Sequence, residues 1–180
     1  MRVGGLVLAA GAGSRFGATK QLAPLDGRPL LEHALAAVAG RTPRVVVLGH
    51  AADEILAAVD LHGAEPVIAA DWAEGQSASL RAGVRALGDV DAAVVVLGDQ
   101  PRLTREAVEA VAAAEAPARA AYHGTPGHPV LLDRALLDRA GELRGDTGFR
   151  DLLHGVRSVE IGALADPVDV DTPEELGRLQ

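Results

Sequence analysis

The sequence predicts an α/β fold with a doubly wound, largely parallel sheet, and two observations carry that expectation. Short β-rich runs alternate with segments of helical periodicity, the order expected of successive β-α-β units with right-handed crossovers. Two of the runs, Val45-Val46-Val47-Leu48 and Val94-Val95-Val96-Leu97, are apolar at every position, as strands covered on both faces must be.

The first strand is expected at Val3–Ala9, running directly into a glycine-rich segment that ends at Lys20. Pro29 suits the first position of a helix carrying Leu31, Leu35 and Val38. A strand at Arg44–Leu48 then leads to a helix with Ile55, Leu56 and Val59, for which Asp53 is the expected N-cap. The next strand, Glu65–Ala69, precedes Gly75-Gln76-Ser77-Ala78-Ser79-Leu80, where Ser77 would cap a helix bearing Leu80, Val84 and Leu87. Ala92–Leu97 is the fourth strand, followed by Gly98-Asp99-Gln100-Pro101 and a helix capped by Thr104 that carries Val108 and Val111. Further on, Ala120–Tyr122 and His128–Leu132 are expected strands, one of them open to antiparallel pairing, and Arg134–Arg139 and Phe149–Leu153 short helices. Thr172-Pro173-Glu174-Glu175 is a helix start with Thr172 at the N-cap, Pro173 at N1 and Glu175 closing a capping box. No repeat, low-complexity tract or long linker divides the chain, so residues 1–180 are expected to form a single domain.

Composition narrows the function. Hydrophobic residues make up 48% of the 180 but aromatics only 2%, so the core must be built from Ala, Val and Leu. A net charge of −8 argues against general binding to nucleic acid or anionic membrane, where phosphate demands a basic surface. The absence of cysteine excludes disulfides, thiolate catalysis and Cys-ligated metal sites. The first residues lack the regions of a signal peptide, and no apolar run approaches the roughly 20 residues of a membrane span, so a cytoplasmic protein is expected.

Within this acidic chain one cationic segment stands apart. Lys20 is the only lysine among 17 basic residues, and it closes the run Leu8-Ala9-Ala10-Gly11-Ala12-Gly13-Ser14-Arg15-Phe16-Gly17-Ala18-Thr19-Lys20. An ammonium is a compact point charge where a guanidinium is a planar fork. A strand feeding a glycine-rich, cationic loop offers backbone N–H groups and side-chain charge to phosphate. The spacing is not that of Walker A, since Gln21 follows Lys20, nor of the dinucleotide fingerprint, since Phe16 stands at the third glycine and Gly49-His50 ends the second strand without an acid. Gly11, Gly13 and Gly17 let the backbone turn its N–H groups toward an anion and Arg15 and Lys20 add charge, so this loop is read as a triphosphate site.

Other candidates cluster at strand exits. Asp99 follows a buried strand, where ligands of open parallel sheets collect, and suits a hard cation such as Mg²⁺. Asp169 and Asp171 lie on one side of a short extended segment, and either could complete a metal site with Asp99. Asp169 also has a simpler reading, as favourable charge near a helix N-terminus. His128, in Gly127-His128-Pro129-Val130, is the histidine most suited to border a pocket, and the loop containing Asp146 is a candidate acceptor loop. No Gly-x-Ser-x-Gly elbow is present, so serine hydrolase chemistry has no support.

Together these motifs resemble the MobA-like nucleotidyltransferases, especially the branch of molybdenum cofactor cytidylyltransferases. The resemblance covers residues 8–22, 27–31, 75–80, 97–101, 127–130, 145–150 and 169–173. It implies a Rossmann-like three-layer α/β/α sandwich, mostly parallel and nucleotide-diphospho-sugar transferase-like. It also implies transfer of a nucleotidyl group from NTP to an acceptor phosphate, with pyrophosphate released. By that resemblance Leu8, Ala9, Ala10, Gly11, Gly13, Arg15, Lys20, Ser79 and Asp99 bind the nucleotide, and Arg15, Lys20 and Asp99 are catalytic. Asp99 and Asp171 hold Mg²⁺, and Gln100, His128 and Asp146 border the acceptor pocket. Leu8-Ala9-Ala10-Gly11 is similar to the cytidylyl pattern, which implies CTP, and the acceptor implied is molybdopterin-bound molybdenum, with transient contact to a molybdenum enzyme or its chaperone. Two alternatives keep part of this reading: a sugar phosphate or other small phosphorylated acceptor, or a non-catalytic module that carries nucleotide or cofactor.

Overall fold

A computed structural model describes residues 1–146, 148, 153 and 155–180. Seven strands make one sheet: β1 (Val3–Ala9), β4 (Arg44–Leu48), β5 (Glu65–Ile68), β6 (Ala92–Leu97), β7 (Ala118–Tyr122), β8 (Thr125–Asp133) and β9 (Arg157–Glu160). Their order is β5-β4-β1-β6-β8-β7-β9. Two further strands, β2 (Pro24–Leu25) and β3 (Arg28–Pro29), form a separate small hairpin. Every adjacent pair in the large sheet is parallel except the two that involve β8, which runs against both β6 and β7.

The centre of the sheet is β1, whose Val7 lies between Val46 of β4 and Val96 of β6. Helices cover both faces, which is why these strands are apolar throughout. On one face α1 (Leu30–Ala37) and α4 (Arg105–Ala112) bring Leu31, Leu35, Val108 and Val111 against Val7, Val46, Val94 and Leu131. On the other, α3 (Gln76–Leu87) and α5 (Arg134–Asp138) pack Leu80, Leu87, Leu136 and Leu137 against Leu6, Val45, Val95 and Val130. Each Val or Leu so buried contributes about 1.5–3 kcal/mol. The result is the doubly wound, largely parallel sheet expected from the pattern, layered as the α/β/α sandwich that the resemblance implies. Among the described residues no helix is long and apolar enough to cross a membrane.

Helix starts are where local expectation and structure differ. Thr104 does accept the Ala107 N–H, and Thr172 with Glu175 does form the capping box of α6 (Pro173–Gly177). Pro29 stands one position earlier than expected, at the N-cap of α1, because it also pairs with Pro24 in the hairpin. Asp53 lies inside the first turn of α2 (Ala52–Ala58), whose N-cap is Ala51 in a left-handed conformation. Ser77 is the second residue of α3, fully buried, with Gly75 at the N-cap. The short helix expected at Phe149–Leu153 falls on residues outside those described, apart from Leu153.

Candidate active site

Chain order brings the site together. From β1 the chain moves outward through β4 to β5, then returns across α3 to β6 on the other side of β1. The loops after β1 and β6 therefore leave adjacent strand ends, at the switch point where open α/β sheets bind ligands. Gly98 N–H donates to the Leu8 carbonyl at 2.9 Å, joining the two loops at their roots. A β-carbon at Gly98 would stand 2.8 Å from Ala9 Cβ and 2.9 Å from Leu31 Cδ1, so glycine is required there.

Lys20 opens a single 3₁₀ turn, Lys20–Leu22, and its side chain reaches across to β6. Its Nζ donates to Asp99 Oδ2 at 2.8 Å, to Asp171 Oδ1 at 2.9 Å and to the Val170 carbonyl at 3.2 Å. Arg15 Nη2 donates to the other oxygen of Asp171 at 2.7 Å. Asp171 is held in turn by the start of α6. Glu175 accepts the N–H groups of Asp171 and Thr172, while Thr172 Oγ1 accepts the Glu175 N–H. Val170 N–H donates to the Asp99 carbonyl at 3.0 Å, fixing this segment to the β6 loop. The structure thus joins Arg15, Lys20, Asp99 and Asp171, which lie as much as 156 positions apart in sequence.

The charges are mutually adjusted. Burial by itself would push the Lys20 ammonium down, but the attraction and hydrogen bonding of Asp99 and Asp171 outweigh it and hold the group above its ordinary value. Asp171 is held below the usual carboxylate range, first by the Lys20 hydrogen bond and further by Arg15, against a smaller effect of burial. Asp169 moves the other way. Burial raises it, and the neighbouring charges of Asp99 and Asp171 add to that, against the hydrogen bond from Gln100 Nε2 at 2.7 Å.

Two cavities open beside these groups. The first, of about 570 Å³, is lined by Leu8, Ala9, Gly11, Gly13, Ser14, Arg15, Lys20, Gln21, Gly98, Asp99, Asp146 and Asp171. The second, of about 620 Å³, shares Leu8 and Asp146 with it and adds Gln100, His128 and Asp169. Of the residues expected to bind nucleotide, all but Ala10 and Ser79 line the first cavity. Those two are buried and line neither. The three expected at the acceptor pocket all line the second.

The sequence profile described as the MobA-like NTP transferase domain matches residues 5–161. The chain belongs to that family. Among curated relatives it is 34% identical to nicotine blue oxidoreductase of Paenarthrobacter nicotinovorans, over 98% of this chain and 96% of that one. It is 32% identical to molybdenum cofactor guanylyltransferase of Rhodobacter capsulatus, over 100% of this chain and 96% of the other. Among solved structures, Rv0371c of Mycobacterium tuberculosis H37Rv superposes with a TM-score of 0.86 at 31% identity, covering 99% of this chain and 96% of that one. The same protein has been solved in complex with manganese, matching at a TM-score of 0.83 and 29% identity over 99% and 98% of the two chains. Membership of this MobA-like family supports the expected class of enzyme, a nucleotidyltransferase.

The MobA-like site of this chain has a donor set suited to a hard divalent ion. Asp99 Oδ1 is buried with no hydrogen-bond partner among the described residues, and Asp171 lies across the same ammonium. No group of three or more His, Cys, Asp or Glu among the described residues forms a metal cluster. Two carboxylates with remaining positions left to water and phosphate oxygens is how Mg²⁺ and similar ions are held.

Two residues of the site were given no role from sequence. Gln21, buried, donates through Nε2 to the carbonyls of Ala9 and Gly11, both at 3.0 Å, and so fixes the start of the glycine-rich loop. Its place directly after Lys20 was the available signal. Arg119, on β7, lines the second cavity and carried no local signal, because its position depends on how β7 pairs with β8.

Proposed function

We propose that residues 1–180 act as one cytoplasmic nucleotidyltransferase domain that moves a nucleotidyl group from an NTP, CTP by preference, to the phosphate of molybdenum-loaded molybdopterin. One observation carries the reading: Lys20 draws Asp99 and Asp171 together beside a glycine-rich loop at the switch point of the sheet. A relative named for molybdenum cofactor guanylyl transfer supports the acceptor. The preference for CTP rests on Ala10 in Leu8-Ala9-Ala10-Gly11. Transient contact with a molybdenum enzyme or its chaperone would pass the product on.

In this reading an oxygen of the acceptor phosphate attacks the α-phosphorus in line. The new P–O bond forms as the bond to the bridging oxygen breaks, and pyrophosphate leaves with that electron pair. A phosphate monoester is already anionic at neutral pH, so no strong general base is needed. The difficulty is charge. Asp99 and Asp171 would hold a divalent ion, magnesium in our reading, which when bound supplies neutralisation of phosphate oxygens. The manganese complex of the similar mycobacterial protein supports a divalent ion. Arg15 and Lys20 exchange a carboxylate partner for the departing pyrophosphate, and the loop N–H groups of Gly11 and Gly13 face the same charge.

Pyrophosphate release tests this, measured with Mg²⁺ and molybdenum-loaded molybdopterin for CTP, GTP, ATP and UTP. CTP-selective release is expected. Release with another NTP keeps the chemistry and overturns the base assignment, and silence with all four, over several phosphorylated acceptors, overturns the transferase reading. A second reading has the oxidoreductase relative in its favour. It predicts a redox reaction with no pyrophosphate released, and oxidation of a supplied reductant, NAD(P)H among those tried, measured on the same preparation decides between them.

A further inference from the structure

Arg119 is a basic side chain that no carboxylate among the described residues pairs with, and its Nε is buried without a hydrogen-bond partner. Both facts need a cause, since a buried guanidinium donor left unpaired is costly. The sheet explains why it points where it does. Arg119 sits opposite Val130 of β8 on the face that packs with α3, while Ala118 and Ala120 belong to the other face. Immediately after Arg119 the register shifts, so that Arg119 faces Val130 while the next residue, Ala120, faces Gly127, and β8 bulges between those two positions. Such irregularities re-aim side chains beside active sites. Here the shift sets Arg119 and His128 into the lining of one cavity.

That cavity has apolar walls from Leu80, Val95, Leu97 and Val130, and two carboxylates, Asp146 and Asp169. Asp169 is already held by Gln100, whose Oε1 is itself buried without a partner. Arg119 is the only Lys or Arg among the described lining residues. The first cavity, by contrast, has its cations committed to Asp99 and Asp171 and, in the proposed reaction, to pyrophosphate. An anionic acceptor entering the second cavity would find in Arg119 a counter-charge that no described carboxylate has taken.

We infer that Arg119 binds an oxyanion of the acceptor, a phosphate gripped by its planar fork, with the apolar walls holding the acceptor's body and Gln100 Oε1 accepting an N–H or O–H from it. The inference deepens the transferase reading and rests on it for the word acceptor. The oxyanion site itself can be tested without turnover.

The probe is inorganic phosphate, titrated into protein loaded with α,β-methylene-CTP and followed through the side-chain Nε–H resonance of Arg119. That resonance is identified by its loss in Arg119→Gln. A saturable shift is expected, with phosphate affinity falling about tenfold or more in Arg119→Gln, the loss that goes with one charge-assisted contact. Arg119→Lys should recover only part of the affinity, because an ammonium cannot present the fork. No saturable shift, or equal phosphate affinity in Arg119→Gln, overturns the inference while leaving the nucleotide site intact. If the analogue does not bind, it is the nucleotide reading that fails. Phosphate titration of ligand-free protein, compared with Arg119→Gln, still decides for or against Arg119.

Discussion

Gly13 lies against the stem of Lys20: a β-carbon at position 13 would stand 3.1 Å from Lys20 Cγ and 3.2 Å from Cδ. Gly13 also has a φ of +58°, a region that an L side chain occupies at a cost of about 1–2 kcal/mol. Gly13→Ala should therefore destabilise the fold by about that amount and, separately, push the ammonium off its partners. Turnover should fall by about tenfold or more even at temperatures where the variant is fully folded, since misplacing a charge-stabilising group raises the barrier. Normal turnover in a folded variant would show that the loop absorbs the extra carbon.

Lys20→Ala should depress pyrophosphate release by about 10²-fold or more, the usual loss for one preorganised donor facing developing charge. Lys20→Arg should not restore it. The site holds the ammonium between two carboxylates and a carbonyl in a nearly buried position, and a planar fork cannot make those three contacts. Single-turnover rates for both variants check this.

The two carboxylates near the C-terminal segment should differ as metal ligands. Asp171 shares Lys20 with Asp99, whereas Asp169 is turned to Gln100. Asp171→Asn should shift the divalent-ion dependence of activity to higher concentration, and Asp169→Asn should leave it in place. The reverse ordering in a metal titration would exchange their roles.

Stability should follow pH through Asp171. Its folded pKa is lowered, so its contribution is present above the unfolded value of 3.8 and is lost as pH falls through the folded value. Lys20 is raised, so its contribution is present below the unfolded value of 10.5 and lost only as pH rises through the folded one. In metal-free urea unfolding, wild type should exceed Asp171→Asn at pH 6 and the gap should close below pH 4. A gap that stays constant across this range would mean that the ion pair contributes nothing.

The Thr172 cap should matter twice. Thr172→Ala removes one half of the capping box and should cost about 1 kcal/mol. Glu175 also holds the Asp171 N–H, so loosening α6 should raise the KM for metal-bound nucleotide with little change at saturation. An unchanged KM alongside the expected loss of stability would separate the cap from the site.

Much of this was legible in the chain because burial on both faces writes strands as unbroken apolar runs, as in Val45–Leu48 and Val94–Leu97. β9 was not, since Arg157–Glu160 is an edge strand with three charged or polar residues among four. The β2–β3 hairpin could have been read from Asp26-Gly27, whose φ values of +50° and +77° are those of a two-residue turn. In the site, Asp99 lies just past β6, and Arg15 and Lys20 lie in the glycine-rich loop that leaves β1, so they announce themselves. That Lys20 would meet Asp171, and that Arg119 would line one cavity with His128, depends on strand order and on a pairing shift, neither of which any local window encodes.

The lysine that gathers the site is specified within the first twenty residues, and one of its two counter-charges only at position 171. During synthesis the glycine-rich loop therefore leaves the ribosome with β1 long before the α6 segment does. A nascent chain can complete its central strands while Lys20 still has Asp99 alone, and the site becomes competent only when the tail is laid against it.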